Sequence, residues 1–136
     1  MTTITADLPL FQIPQKERGG FHASRLSHSQ PTQRMLALLI LTHEDGGATT
    51  WDIITNARIA AVNSHAANLN DKLNNIPTDC RRERATATGA SVFRYRLRDI
   101  ETAITRAQAI VSPERMTQEL RRAITEYRAK MAFFTP

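Results

Sequence analysis

Between Ile76 and Leu97 the spacing of apolar residues changes from three-and-four to strict alternation, and this change most narrows what the chain can become. Ile76, Thr78 and Cys80 alternate with polar residues up to Glu83. After the Thr/Gly/Ala-rich stretch Thr86 to Ser91, the alternation resumes, with Phe93, Tyr95 and Leu97 opposite Val92, Arg94 and Arg96. Two period-2 runs joined by a loop containing glycine predict an antiparallel hairpin. Every other sustained pattern in the chain is helical. The fold class expected is therefore mainly α with a small β-hairpin, an α+β domain.

Helical spacing appears first over Pro31 to His43, where Met35, Leu36, Leu39, Ile40 and His43 recur three and four apart. Ser29 or Gln30 stands at the cap position and Pro31 in the first turn. Leu38 and Leu41 widen the stripe, so more than one side of this helix needs cover. Gly46 and Gly47 end it. Thr49 or Thr50 caps a short helix, with Trp51 and Ile54 facing inward. A turn follows over Ala57 to Ala61, then a helix over Val62 to Asn74 whose apolar face is Val62, Ala66, Leu69 and Leu73. Asp99 caps a helix striped by Ile100, Ala103, Ile104, Ala107, Ile110 and Val111. Ser112-Pro113-Glu114 reads as a stop and restart. The last helix carries Leu120, Ile124, Tyr127 and Met131 on one side and charge on the other. Residues 1–30 hold no sustained period and read as a loose arm with one apolar patch, Leu8 to Ile13. The expected divisions are thus 1–30 (arm), 31–98 (domain) and 99–136 (two further helices).

Charge is distributed unevenly. Arg81, Arg82, Arg84, Arg94, Arg96 and Arg98 face only Glu83 between residues 81 and 98, a local formal charge of +5 that equals the charge of the whole chain. Such a concentration is the usual electrostatic footprint of a surface that meets phosphate. A hydrophobic content of 41% with 23% charged residues argues against wholesale disorder. The longest apolar run, Met35 to Leu41, is too short to cross a bilayer, and no basic segment precedes an apolar one at the N-terminus. With Cys80 the single cysteine, a reducing cytoplasm is expected. The four histidines are scattered, carboxylates are unpaired, and no phosphate loop or nucleophile elbow occurs, so neither an enzyme nor a metal or cofactor site is expected.

The order of these elements resembles a short winged helix-turn-helix family often encoded by bacteriophages and prophages. The matching features are Gly46–Gly47, Thr49–Thr50, Ile59 to Leu73, Arg81–Arg82 and Tyr95-Arg96-Leu97. The resemblance spans about residues 32 to 98, and the arm and the C-terminal helical extension depart from the family's short form. It implies a transcription regulator that binds double-stranded DNA. The second helix of such a motif enters the major groove, so Asn63, Ser64, His65 and Asn68 are the candidate base-reading residues. Arg58 and Lys72, with Arg81, Arg82, Arg84, Arg94 and Arg96 of the hairpin, are the candidate backbone contacts. A homodimer through Leu120, Ile124, Tyr127 and Met131 would give two half-sites. The alternative is a small phage-encoded inhibitor, anti-CRISPR-like, that reuses the same frame on a host protein or ribonucleoprotein.

Overall fold

A computed structural model describes residues 25–84, 89 and 91–134. The arm's patch at Leu8 to Ile13 and most of the hairpin loop lie outside the described residues. Among these the chain forms six α-helices and a three-stranded antiparallel sheet. In chain order they are α1 (Arg25–His28), α2 (Gln30–Leu41), a 3-10 turn (His43–Asp45), β1 (Ala48–Thr49), α3 (Thr50–Asn56), α4 (Val62–Asn70), β2 (Thr78–Arg84), β3 (Ser91–Leu97), α5 (Ile100–Ile110) and α6 (Gln118–Phe134). The sheet order is β1–β3–β2, which makes β2 an edge strand.

Local chemistry accounts for where three of the helices begin. Ser29 accepts a hydrogen bond from the Thr32 N–H and caps α2. Thr49 and Asp52 form a reciprocal capping box at α3, each side chain accepting from the other's backbone N–H at 3.1 Å. Asp99 accepts from the N–H groups of Glu101 and Thr102 at the start of α5. Helix α2 stops at Leu41, two residues before the expected end, and the chain turns through Gly46 and Gly47, whose φ angles are +91° and +101°. Gly47 is required for a second reason. A Cβ there would stand 2.1 Å from the Tyr95 carbonyl oxygen, because β1 runs against β3 in the register Ala48↔Tyr95.

Helix α2 is the centre of the molecule. Met35, Leu36, Ala37, Leu39 and Ile40 are buried on it, and α4 and α6 pack on different sides. One continuous core joins Leu26, Ile53, Leu69, Ile76, Tyr95 and Leu97 to Ile104, Val111, Leu120 and Ile124. Gln33, only 1% exposed, ties three segments together. Its amide donates to the carbonyls of Leu26 and Arg115 and accepts from the Thr117 N–H.

Several expectations are corrected. Leu120 and Ile124, assigned to a dimer contact, are buried within this chain, because α6 lies along the second apolar side of α2. Tyr127 and Met131 continue that stripe and are half-buried; the Tyr127 hydroxyl donates to Glu101 at 2.7 Å. Burial and this carboxylate push the Tyr127 pKa up to about 12. Pro113 and Glu114 sit in a turn rather than in a helix, and α6 starts only at Gln118, after the Ser112 carbonyl has accepted from Arg115 and Met116. Helix α4 ends at Asn70, not Asn74. There Asp71 accepts from the Asn74 N–H, the left-handed Asn75 reverses the chain, and Leu73 is left 50% exposed.

Candidate nucleic-acid interface

The strand register sorts the arginines. Residues directly opposite in an antiparallel pair project from the same face. Thr78↔Leu97, Cys80↔Tyr95, Arg82↔Phe93 and Arg84↔Ser91 therefore form one face, and Asp79↔Arg96, Arg81↔Arg94 and Glu83↔Val92 the other. Tyr95 and Leu97 are buried, and the Tyr95 hydroxyl donates to Asn63 Oδ1, so the first face looks toward α4. It carries Arg82 and Arg84 and no carboxylate.

The opposite face is mixed in sign. Arg94 donates to Glu83 at 2.9 Å, and Arg98 to Asp79 at 2.7 Å. This hydrogen bond holds the Asp79 carboxyl below its ordinary value. Arg81, Arg94, Arg96, Arg98, Asp45, Asp79 and Glu83 line one shallow depression. Arg81, Arg94 and Arg96, candidate backbone contacts, project from the face opposite Tyr95, away from α4. The reason is the pleat: alternation turns them away from Tyr95, and Tyr95 points at α4.

Between the α4-facing sheet surface and the start of α4 lies a cleft of about 260 Å³ lined by Thr50, Ala60, Ala61, Val62, Asn63, Ser64, Phe93 and Tyr95. The Arg82 guanidinium stands 5.9 Å from the centre of the Phe93 ring, a cation–π contact. Ala61 precedes α4 and supplies no side-chain cap. Among the described residues the N–H groups of Asn63 and Ser64 have no acceptor, so the positive end of α4 opens into the cleft.

The four candidate base-reading residues divide. Asn63 and Ser64 are exposed at the cleft, with Ala67 exposed one turn on. His65 and Asn68 are half-buried and turn toward α2: His65 Nδ1 lies 2.8 Å from Thr32 Oγ1, and Asn68 donates to the same oxygen at 3.2 Å. Thr32 in turn donates to Ser29 Oγ at 2.9 Å. Burial, with the nearby Arg34 charge, lowers the His65 pKa and favours the neutral ring. These two side chains lock α4 to α2 and do not reach outward as expected. Nothing in the sequence marks Thr32 as their anchor, since it lies thirty-three residues from His65.

Of the candidate backbone contacts, Lys72, Arg81, Arg82, Arg84 and Arg96 are exposed. Arg58 adopts a left-handed backbone at φ +57° and donates to Glu119 of α6 at 2.9 Å, so its charge is partly neutralised. Trp51, expected in the core, is 70% exposed, because α3 buries Ile53 and the following Ala57 instead. Cys80 and Phe93 share the face of buried Tyr95 and Leu97, yet Cys80 is exposed and Phe93 is 46% exposed. Cys80 lies on the edge strand β2, opposite buried Tyr95, and Phe93 lies two residues from Tyr95 toward the hairpin tip. Among the described residues no three His, Cys, Asp or Glu side chains gather around a metal-sized space, and no helix is long and apolar enough to cross a membrane.

Comparison of the chain with protein-family models, curated proteins and solved structures finds no match in any of the three.

Proposed function

We propose that the protein binds double-stranded DNA as a winged helix-turn-helix regulator of the phage or mobile-element type. Helix α4 enters the major groove, and the hairpin lies beside it on the sugar–phosphate backbone. The observation that supports this reading best is the carboxylate-free sheet face. It sets Arg82 and Arg84 on the same side as the uncapped start of α4 and the exposed Asn63 and Ser64. Phosphate is attracted by the guanidinium groups and by the helix end alike. Base contacts in this arrangement fall to Asn63, Ser64 and the Ala67 methyl.

The test is binding of labelled random duplex over a series of salt concentrations. Replacing both Arg82 and Arg84 by Ala is expected to flatten the log–log salt slope by about 1.8, at about 0.9 per phosphate neutralised. Replacing Arg81 and Arg96 on the far face is expected to change it far less. The reverse ranking, or no binding at low salt, would overturn the proposal.

One observation favours a second reading. The far face alternates Arg81, Arg94, Arg96 and Arg98 with Asp45, Asp79 and Glu83. Mixed charge rich in arginine suits a protein surface of complementary pattern better than a run of phosphates. A protein-binding inhibitor of a host system would use that face.

A further inference from the structure

The far face of the sheet holds more arginine than its own carboxylates neutralise. Four guanidinium groups line the depression there, and two of them are matched within the chain, Arg94 by Glu83 at 2.9 Å and Arg98 by Asp79 at 2.7 Å. Arg81 and Arg96 are exposed, and among the described residues neither has a carboxylate within ion-pair distance. Both stand near Asp79: hydrogen bonds from Arg98, with the charges of Arg98, Arg81 and Arg96 behind them, hold that carboxyl below its ordinary value. Asp45, in the turn that leads into β1, lines the same depression and is likewise exposed with no cation at ion-pair distance among the described residues. The charges left unmatched on this face are two positive and one negative.

That remainder selects the partner's chemistry. A run of phosphates would meet Asp45 as well as the arginines, and the like charge works against it. A second copy would set the same excess of arginine against itself. The depression, about 500 Å³, is shallow, so a small molecule there would stay largely in water, whereas ligand pockets enclose most of what they bind. An acidic chain segment fits. Arg81 stands opposite Arg94 and Arg96 opposite Asp79, so Arg81 and Arg96 are diagonal neighbours, about 7–8 Å apart. Alternate residues of an extended chain project from one side about 6.6 Å apart, close to that spacing. We propose that the far face docks an extended acidic segment of a partner protein, with carboxylates at alternate positions on Arg81 and Arg96 and a basic residue on Asp45. Each guanidinium can give a carboxylate two N–H bonds. This inference rests on the second reading above, that the far face meets protein, and names the chemistry of that protein.

The probe is a fluorescein-labelled peptide of alternating glutamate and threonine with one terminal lysine, titrated with the full chain and followed by anisotropy. Two more peptides serve as comparisons, one of the same composition with its glutamates contiguous and one alternating glutamate with lysine. The alternating acidic peptide is expected to bind at least about threefold more tightly than the contiguous one. Arg81→Glu with Arg96→Glu is expected to weaken it about tenfold, and Arg81→Gln with Arg96→Gln about threefold. Arg82→Glu with Arg84→Glu makes the same change of net charge on the opposite face and is expected to weaken it less than about twofold. All four side chains are exposed, so the variants should melt with the parent; if the charge-reversed pair does not, the glutamine pair carries the test. Equal losses in the two charge-reversed pairs, or equal binding of the contiguous peptide, would mean diffuse attraction to a basic chain and overturn the inference. Random duplex that loses affinity in Arg81→Glu with Arg96→Glu as steeply as the peptide does would give the face to nucleic acid and overturn it too. Failure of both acidic peptides beside binding of the glutamate–lysine peptide that depends on Arg81 and Arg96 would overturn it and leave far-face protein binding standing. No binding of any peptide would overturn both.

Discussion

Replacing Gln33 by Leu should show how much one buried amide holds this fold together. Leucine keeps most of the side-chain volume and removes the three hydrogen bonds that Gln33 makes to Leu26, Arg115 and Thr117. Each bond contributes about 1 kcal/mol net, and a group left buried without a partner costs about 1–3 kcal/mol. The groups released are unequal. Leu26 is fully buried, so its carbonyl has least access to water, whereas Arg115 is exposed and its carbonyl can be rehydrated. The apolar leucine returns some transfer energy. The balance is a loss of about 2–4 kcal/mol, a large part of the roughly 5–15 kcal/mol typical of a domain. Urea unfolding followed by circular dichroism should show a lower midpoint with an unchanged slope, because the surface exposed on unfolding is the same. Gln33→Glu keeps an acceptor for the Thr117 N–H but turns an anion toward two carbonyls, so it should lose at least as much. A shift below about 1 kcal/mol in Gln33→Leu would refute the argument, since it would mean that water reaches all three groups.

The glycine turn and the two half-buried histidines each have a measurable consequence. Gly47→Ala should fail to give folded protein at ordinary yield, since its Cβ would collide with the Tyr95 carbonyl, while Gly46→Ala, with open space around it, should lose only about 1–2 kcal/mol of backbone strain; equal losses in thermal melts would contradict the close approach. Burial lowers the pKa of both His43 and His65 below the ordinary 6.5, so the folded chain resists protons that the unfolded chain accepts. Stability should therefore fall as pH drops below about 6.5, and His65→Asn should flatten that fall in urea midpoints taken at about pH 7 and pH 5; an unchanged slope would refute it.

Sequence legibility followed the range of the physics. Caps act within three residues, so local residue type placed Asp99 and narrowed the other two to neighbouring pairs, Ser29 or Gln30 and Thr49 or Thr50, of which the structure uses Ser29 and Thr49. Spacing alone misplaces Trp51 because α3 has seven residues. With fewer than two full turns, spacing from Trp51 to Ile54 competes with spacing from Ile53 to Ala57, and only the packing chooses. The Leu120–Ile124 stripe announced that it would be covered, but not by what. The answer depended on α2 having a second bare side.

The sequence by itself determined that a basic hairpin would exist and that Arg94 and Arg96 would oppose Tyr95 and Leu97, because side chains alternate along any strand. Tertiary structure decided which of those two faces meets α4, and where along it burial stops. For that reason Arg82, Arg84 and Phe93, sharing a pleat with buried Tyr95, border the candidate interface in the open. Alternation is a property of one strand; where the core ends beneath it is set by residues far away in the chain.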